Sequence, residues 1–405
     1  MTHADSAAQA SNPDRRVYRN VARLAAAQAL AGANASVIFA TGAIVGSTLA
    51  PDKSLATLPI SMFVVGMAAG TLPVGHISRQ YGRRAAFLTG TGFGVVTGLL
   101  AMLALLIGSF PLFCVATFCG GLYGSVVQSF RFAAADGASP AFRPKALSWV
   151  MAGGVFAGIL GPQLVTWTMD LWQPYLFAAS YLVQAGIAVI TAIVLAGVDL
   201  PKPPPSELAA GRPLAQIVGQ ARFITAALSG VVAYMLMNLV MTSAPLAMRM
   251  CGLPLSASNW AIQWHIVAMF GPSFFTGHII ARFGPQRVVA AGLVLTVAAA
   301  LTNLAGLTVA HFTFGMILLG LGWNLSFVGA SAMVLETHRP EERNKVQAFN
   351  DFVVFGIMAC GSFLSGHVLA SFGWDAINWI VFPPVALAFI ALLFAGLLRR
   401  QPAAG

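Results

Sequence analysis

Long apolar stretches separated by short polar segments recur along almost the whole chain of 405 residues. A stretch of about 20 apolar residues is long enough to cross the hydrocarbon core of a bilayer as a helix. The pattern therefore predicts an all-α membrane protein with twelve transmembrane helices. We place the predicted spans at residues 21–49, 56–77, 85–108, 112–135, 146–168, 174–197, 222–248, 257–280, 287–308, 312–336, 346–370 and 376–398.

The longest polar segment between predicted spans covers residues 198–221, and four of its prolines lie between positions 201 and 205. Proline combined with charge is typical of a linker. We therefore predict two six-helix bundles joined by a cytoplasmic linker. The predicted units are a polar tail at 1–20, the first bundle at 21–197, the linker at 198–221, the second bundle at 222–398 and a short tail at 399–405.

Basic residues are concentrated on one side of the predicted spans. With both termini in the cytoplasm, 19 of the 22 Lys and Arg residues fall in cytoplasmic segments, while Lys53 and Arg249 fall outside and Arg131 falls within a span. This is the positive-inside distribution of a membrane protein. The net charge of +10 therefore reflects topology, so we expect no nucleic-acid partner. The expected location is the bacterial inner membrane, with the lipid bilayer as a partner.

Charged residues make up only 8% of the chain, too few to cover the surface of a soluble protein of this size. The four cysteines lie in or beside apolar stretches without the spacing of a metal site, and they are read as packing residues. No ATP-binding loop, catalytic triad or HExxH motif occurs. We therefore expect no metal, no cofactor and no enzymatic activity, and we expect any movement of a solute to be driven by a gradient or to be pure facilitation.

The two halves of the chain repeat each other. Asp136, Pro140, Arg143 and Lys145 recur as Glu336, Pro340, Arg343 and Lys345, each 200 residues later. Gly75-His76-Ile77 returns as Gly277-His278-Ile279, 202 residues later. Because six spans return the chain to its starting side, the two bundles are parallel repeats. The repeat predicts a substrate site where the halves meet, about midway through the membrane.

The segment after the second span reads Gly75-His-Ile-Ser78-Arg79-Gln-Tyr-Gly82-Arg83-Arg84. It resembles the cytoplasmic loop signature of the major facilitator superfamily, with Ser78 in the place of the family's acid. A degenerate copy runs from Gly277 to Arg287. The resemblance covers nearly the whole chain and implies a gradient-driven transporter with two bundles. Gly154, Gly158 and Gly161-Pro162 also resemble the glycine–proline signature of the family's proton antiporters, although Val165-Thr166 replaces its last glycines.

The loop signature predicts a cytoplasmic gate. Gly82 and Gly284 permit tight turns, and Arg83 and Arg84 stand at the membrane surface. We expect Asp136 to pair with Arg83 and Glu336 with Arg287. In relatives, the acid missing at Ser78 sits against span eleven, and here we expect Asp351 to supply its charge. Static topology charges are the alternative. The predicted gate set is Gly75, Gly82, Arg83, Arg84, Asp136, Gly284, Arg287, Glu336 and Asp351.

Two ionisable residues are predicted inside the membrane. Arg131 lies near the cytoplasmic end of span four, where it is expected to snorkel or to pair with Asp136, with binding of an anionic substrate group as the alternative. His265 lies close to the midplane in span eight. It is either a packing residue or a residue that couples protons or contacts the substrate, because imidazole titrates near neutral pH. Gly271-Pro272 is expected to break that helix.

Neutral polar and aromatic residues near the midplane form a candidate substrate pocket. Each is costly to bury in hydrocarbon unless it pairs or faces water, so each either bonds a neighbouring helix or lines the pocket. Such a lining favours a flat, hydrogen-bonding, uncharged or weakly anionic solute. The candidates are Asn34, Gln128, Gln163, Tyr234, Asn238, Gln263, Trp264, Trp323 and Asn324.

The stretch from Asn259 to Phe275 is similar to bacterial vitamin importers, riboflavin importers in particular. The expected function is therefore alternating-access transport of a small, neutral or weakly anionic, aromatic solute, with riboflavin-like uptake as the specific expectation. A monomer is expected, with protons as the candidate coupling ion. Two alternatives stay open at this point: a proton-coupled multidrug efflux antiporter, and a non-transporting receptor or assembly factor on the same scaffold.

Overall fold

The computed structural model describes residues 13–52, 55–200 and 211–400, and these residues form long helices joined by short turns. The first half contains α1 (Pro13–Leu49), α2 (Leu58–Tyr81), α3 (Arg83–Ile107), α4 (Phe110–Asp136), α5 (Arg143–Thr168) and α6 (Ala178–Ala196). The second half contains α7 (Ala221–Met250), α8a (Leu255–Phe270), α8b (Ser273–Phe283), α9 (Pro285–Leu304), α10 (Val309–Leu335), α11 (Arg343–Trp379) and α12 (Phe382–Arg400).

The membrane-spanning capacity of these helices agrees with the predicted fold. Within the described residues, ten helices are long and apolar enough to cross a bilayer, and α8a with α8b, bent by 41°, forms an eleventh as one broken span. The first part of α11 is also helical and completes the predicted set of twelve. The bend lies at Gly271-Pro272, which confirms the predicted break, since proline cannot donate the backbone hydrogen bond that a continuous helix needs.

Three boundaries differ from the prediction. Helix α1 begins at Pro13, so its first two turns lie in the segment that was predicted as a polar tail. The second part of the predicted linker contains a short helix, Leu214–Val218. Helix α11 continues to Trp379 but is interrupted at Gly373, where φ is +78°. Residues 1–12 of the predicted tail, 201–210 of the linker and 401–405 of the second tail lie outside the described residues.

The two halves pack in the same way. In the first half α1 packs on α5 and α2 on α4, and in the second half α7 packs on α11 and α8a on α10. Small residues allow these helices to approach closely. A Cβ at Gly66 of α2 would lie only 3.1 Å from the Cα of Gly121 in α4. Gly82 (φ +89°) and Gly284 (φ +82°) form the turns after α2 and α8b, which confirms the two predicted tight turns.

The halves meet through α2 with α11 and through α5 with α8a and α8b. Gly75 packs against Ala348, and Gly277 packs against Ser148. Both contacts lie near the membrane surface at which α1 begins and α12 ends, which we call the terminus side. Since positions 148 and 348 are also 200 residues apart, the two contacts are related by the repeat.

Candidate functional site

A buried ion pair joins the two halves. Arg131 of α4 donates from Nη2 to Oδ1 of Asp351 in α11 at 2.6 Å, and both side chains are almost completely buried. Arg131 Nε donates to Ser331 Oγ of α10 at 3.2 Å. The guanidinium carbon lies 4.4 Å from the ring centre of Phe132 and 4.8 Å from that of Phe327. The arginine is therefore held by hydrogen bonds at its edge and by aromatic rings at its faces.

This geometry corrects the prediction for Arg131. The side chain neither snorkels nor pairs with Asp136, because its donors are directed at Asp351, Ser331 and Gln128. Binding of an anionic solute group by Arg131 stays a prediction. A buried charge is tolerated only when a counter-charge and hydrogen bonds replace its water. The sequence indicated a partner one turn away on the same helix, whereas the fold brings the partner from 220 residues away.

An aromatic cluster lies next to the ion pair, formed by Tyr234, Phe270, Trp323, Phe327 and Phe355. The ring of Tyr234 is 5.5 Å from Trp323, 5.0 Å from Phe327 and 5.2 Å from Phe355, each in an edge-to-face arrangement. Trp323 stacks on Phe327 at 5.1 Å and meets Phe270 edge-to-face at 5.5 Å. The cluster thus joins α7, α8a, α10 and α11 around one apolar centre.

Hydrogen bonds connect the aromatic cluster to the ion pair. Gln128 of α4 donates from Nε2 to the hydroxyl of Tyr234 at 3.3 Å. The side-chain oxygen Oε1 of Gln128 in turn accepts from Arg131 Nη1 at 3.2 Å. The polar path Asp351, Arg131, Gln128, Tyr234 therefore crosses between the halves and ends at the cluster. Two hydrogen bonds thus connect the hydroxyl of Tyr234 to the guanidinium of Arg131.

Several buried polar atoms close to midplane have no hydrogen-bond partner within the described part of the chain. These are Nε1 of Trp323, Nδ2 of Asn238, and both amide atoms of Asn34. A buried donor or acceptor without a partner costs about 1–3 kcal/mol, so such groups are normally satisfied by water or a ligand. Tyr234 and Asn238 lie one turn apart on α7, which places an unpaired donor near the aromatic cluster.

Asn324, a predicted pocket residue, is hydrogen-bonded to residues of α8a and α8b. Its side chain is completely buried, accepts from Thr276 Oγ1 at 2.6 Å, and donates to the backbone oxygen of Met269 and to Ser273 Oγ at 2.6 Å each. All of these partners flank the break between α8a and α8b. Pro272 and the bend free backbone groups there, and the amide of Asn324 satisfies one of them. Asn324 therefore stabilises the broken helix through both polar atoms of its side-chain amide.

Three further pocket candidates are exposed, and their part in a solute pocket stays a prediction. Gln163 lies on α5, and Gln263 and Trp264 lie on α8a. The Trp264 ring is 41% exposed and meets Trp260, which is 53% exposed, edge-to-face at 5.7 Å. An exposed indole on a membrane helix is typical of a lipid-facing or water-facing surface.

His265 is completely buried between α8a and α10. Its Nδ1 lies 2.8 Å from the backbone oxygen of Met316, and because a carbonyl only accepts, Nδ1 carries the proton. Nε2 then has a lone pair without a partner among the described residues. The ring is thus held by one bond and has one free acceptor, which fits either of its predicted roles.

A second set of contacts closes the terminus side. Arg83 Nε lies 2.5 Å from Asp136 Oδ2, which confirms that predicted pair, and Arg83 Nη2 donates to Gln347 Oε1 of α11 at 2.5 Å. Arg343 of α11 approaches the same carboxylate of Asp136 at 3.8 Å. Ser148 of α5 bonds the backbone of α8b at Ser273 and Gly277. Two arginines, one from each half, therefore share Asp136.

The position of the missing acid is occupied by a small cavity. It has a volume of about 20 Å³, enough for one water molecule, and it is lined by Ser78, Arg83, Asn344, Gln347 and Asp351 among others. The hydroxyl of Ser78 has no hydrogen-bond partner within the described residues. Asp351 also lines this cavity, and its carboxylate bonds Arg131; that it supplies the charge of the missing acid stays a prediction.

The other predicted gate residues lie on the terminus side. Arg84 and Arg287 are exposed at the starts of α3 and α9, and Glu336 follows α10. The pairing of Glu336 with Arg287 stays a prediction. Sequence reasoning missed Gln347 and Ser148, neutral residues that carry contacts between the halves. Ser331 could have been found, since it aligns with Arg131 in the repeat.

Comparison with known proteins adds a family assignment. The chain matches the family described as Major Facilitator Superfamily over residues 24–258 and 226–405. It is 45% identical over 387 residues to the riboflavin transporter RfnT of Brucella anthropi, covering 95% of this chain and 96% of that protein. It is 26% identical over 370 residues to YdeG of Bacillus subtilis, an uncharacterised MFS-type transporter, covering 87% and 86%. The proton:xylose symporter XylE has a similar fold, with a TM-score of 0.75, 14% identity, and coverage of 95% and 96%.

Proposed function

Because the chain belongs to the major facilitator superfamily, we propose that it takes up riboflavin or a closely related flat, hydrogen-bonding aromatic solute by alternating access. Membership makes it a multi-pass membrane transporter of small-molecule solutes and not an enzyme. Five points are proposals: the solute, the direction of transport, the coupling ion, the monomeric state and the location in a bacterial inner membrane. The positive-inside distribution supports placing the terminus side in the cytoplasm.

The observation that carries the solute proposal is the aromatic cluster with its unpaired donors. An isoalloxazine ring is flat and aromatic and has carbonyl oxygens and ring nitrogens along one edge. Trp323 and Tyr234 supply aromatic rings, with Trp323 fully buried inside the cluster, while Trp323 Nε1 and Asn238 Nδ2 are donors without a partner among the described residues. Such a site combines stacking with a few placed polar groups, which is how a planar heterocycle is recognised.

Two sequence observations favour riboflavin within this class of solute. The stretch from Asn259 to Phe275 is similar to riboflavin importers, and a relative named as a riboflavin transporter is 45% identical along nearly the full length of both chains. The same stretch supplies Phe270 to the aromatic cluster and Met269 and Ser273 to the bonds with Asn324.

Proton coupling through His265 is the proposed energy source. The histidine is buried beside α10, which carries Trp323 and Phe327 of the aromatic cluster, and its Nε2 has a lone pair that no described residue occupies and that can accept a proton. The test is uptake into proteoliposomes with and without an imposed pH gradient, for the wild type and for His265→Gln. An unchanged response to the gradient in the variant removes His265 as the coupling residue.

Growth of a riboflavin auxotroph that expresses the protein tests the solute and the direction together. We expect growth at limiting external riboflavin, uptake of labelled riboflavin, and competition by flavin analogues but not by sugars. The Trp323→Leu variant should lose rescue, whereas Trp167→Leu, at an indole that is 69% exposed on α5, should keep it.

Absence of rescue together with lowered accumulation of ethidium or chloramphenicol would replace uptake by drug efflux. Absence of any transport, with riboflavin still bound, would instead favour a receptor on the same scaffold.

A further inference from the structure

His338 lies in the turn after α10 and is hydrogen-bonded to Gln347, which contacts the gate residue Arg83. Its Nδ1 lies 3.1 Å from the backbone oxygen of Arg339, so this nitrogen carries a proton that it donates. Its Nε2 lies 3.2 Å from Nε2 of Gln347, the residue of α11 that contacts Arg83. One hydrogen bond therefore links the histidine to Gln347, whose contact with Arg83 joins the two halves.

The orientation of the Gln347 amide follows from its partner in the other half. A guanidinium only donates, so the oxygen of Gln347 must face Arg83 and its NH₂ group must face His338. His338 Nε2 is consequently an acceptor, and the imidazole is neutral. Gln347 Nε2 therefore donates to His338 Nε2, and His338 Nδ1 donates to the backbone oxygen of Arg339.

We propose that His338 is a proton-binding site that senses cytoplasmic pH and weakens the gate when it is protonated. An imidazolium donates from both nitrogens, so it cannot accept from the NH₂ group of Gln347. If the amide turns to present its oxygen to His338, its NH₂ group faces the donors of Arg83 and the bond between the halves is lost. If the amide does not turn, two donors oppose each other.

The surroundings of His338 determine the direction of the pH effect. Burial lowers the pKa of His338 below its usual range, and this is the largest influence. Asp136 at the end of α4 and Glu342 before α11 favour the protonated ring, and Arg83 at the start of α3 disfavours it. The ring is therefore neutral at neutral pH, with the gate bond formed. Acidification below the usual range of histidine protonates it, so the bond is lost as the pH falls.

The inference rests on the alternating opening in the proposed function but not on the identity of the solute. Its test is the distance between spin labels at Tyr81→Cys and Phe283→Cys, at the exposed ends of α2 and α8b. The background lacks the native cysteines Cys114, Cys119, Cys251 and Cys360. The labelled protein is measured in nanodiscs without solute, from pH 8 to pH 4.5, so that the series extends below the usual titration range of histidine.

In the wild type we expect the ratio of the long-distance to the short-distance population to rise about fivefold on acidification, which is about 1 kcal/mol at 1.4 kcal/mol per tenfold. His338→Gln offers a neutral acceptor at all pH values and should show no rise. His76→Gln, at an exposed histidine on the terminus side, should respond like the wild type. Gln347→Leu should give a raised, pH-independent ratio.

A rise retained in His338→Gln, or no rise in the wild type, overturns the proposal. Each variant is first checked for a single symmetric peak in size-exclusion chromatography, so that misfolding is not read as gate opening. Failure of riboflavin transport would leave these distance measurements unaffected, so the two proposals fail separately.

Discussion

Arg131 and Ser331 occupy the same position in the two repeats, and their side chains are hydrogen-bonded to each other at 3.2 Å across 200 residues of sequence. Equivalent positions of two repeats can meet only close to the axis that relates them. An arginine at both positions would place two buried guanidinium groups together, so the repeat has diverged there. The small hydroxyl of Ser331 leaves room for the guanidinium and accepts one of its hydrogen atoms.

The first prediction concerns the buried ion pair. Asp351→Asn leaves Arg131 buried without a counter-charge, so we expect a loss of about 3–5 kcal/mol in stability. The loss should appear as a lower unfolding temperature of the purified protein. Asp375→Asn, at an exposed acid of α11, is the control and should unfold like the wild type.

A double variant separates the charge from the contact. Arg131→Met combined with Asp351→Leu removes both charges, and most of the lost stability should return, because no uncompensated ion is left in the interior. An Asp351→Asn protein as stable as the wild type would contradict the assignment of this pair as the main counter-charge.

The second prediction concerns closure at the terminus side. A Cβ at Gly277 would lie 2.6 Å from the backbone oxygen of Pro144 and 2.7 Å from the Cα of Lys145. Gly277→Leu therefore prevents α8b from packing against α5, and we expect uptake to be lost and the spin labels at positions 81 and 283 to move apart. Gly92→Leu on α3, where an added Cβ meets nothing within 4 Å, should transport normally. Retained uptake with an unchanged label distance in Gly277→Leu would show that this contact is dispensable.

The third prediction concerns affinity for the solute. Trp323→Leu removes stacking surface and the unpaired Nε1 donor, so we expect the Kd for riboflavin to rise about tenfold, equivalent to about 1.4 kcal/mol. Tyr234→Phe removes the hydroxyl that accepts from Gln128 and should weaken binding less, by about fivefold. Quenching of riboflavin fluorescence by the purified protein measures both values. Equal affinities in the wild type and Trp323→Leu would exclude the aromatic cluster as the binding site.

The fourth prediction concerns pH and the anchored end of the linker. Arg212 donates to both carboxylate oxygens of buried Glu342, at 2.9 Å and 2.7 Å, and this pairing lowers the pKa of Glu342 from 4.5 to about 2. A depressed pKa stabilises the fold above the ordinary value of the group, and that contribution is lost as the pH falls from 4.5 towards 2. The difference in unfolding temperature between wild type and Glu342→Gln should therefore shrink from pH 6 to pH 3. Glu341→Gln should show a smaller difference that changes less over this range.

Much of the architecture could be predicted from the sequence, because each signal for it is local. Apolar length predicts spans, Lys and Arg positions predict sides, and the recurrence of Asp136 and Glu336 predicts parallel repeats. The pair of Arg83 with Asp136 was also within reach, since both residues lie at helix ends that the repeat places on one surface.

The candidate site was less predictable because it depends on which face of each helix packs against helices of the other half. Nothing local to Arg131 indicates that its partner is Asp351, 220 residues away. Trp323 and Asn324 are neighbours in the sequence, yet Trp323 joins the aromatic cluster and Asn324 forms hydrogen bonds at the break between α8a and α8b. Gln347 carries no charge and lies in an ordinary turn of α11, so only the folded contact with Arg83 reveals its role.

The two glycine contacts, Gly75 on Ala348 and Gly277 on Ser148, amount to one contact made twice about an internal axis. In the language of oligomers this is an isologous interface within a single chain. Rotation of one half about an axis at the membrane midplane, parallel to the line that joins the two contacts, separates both contacts in the same step. Neither copy can act as a hinge while the other opens, so the terminus side is expected to be open or shut as a unit.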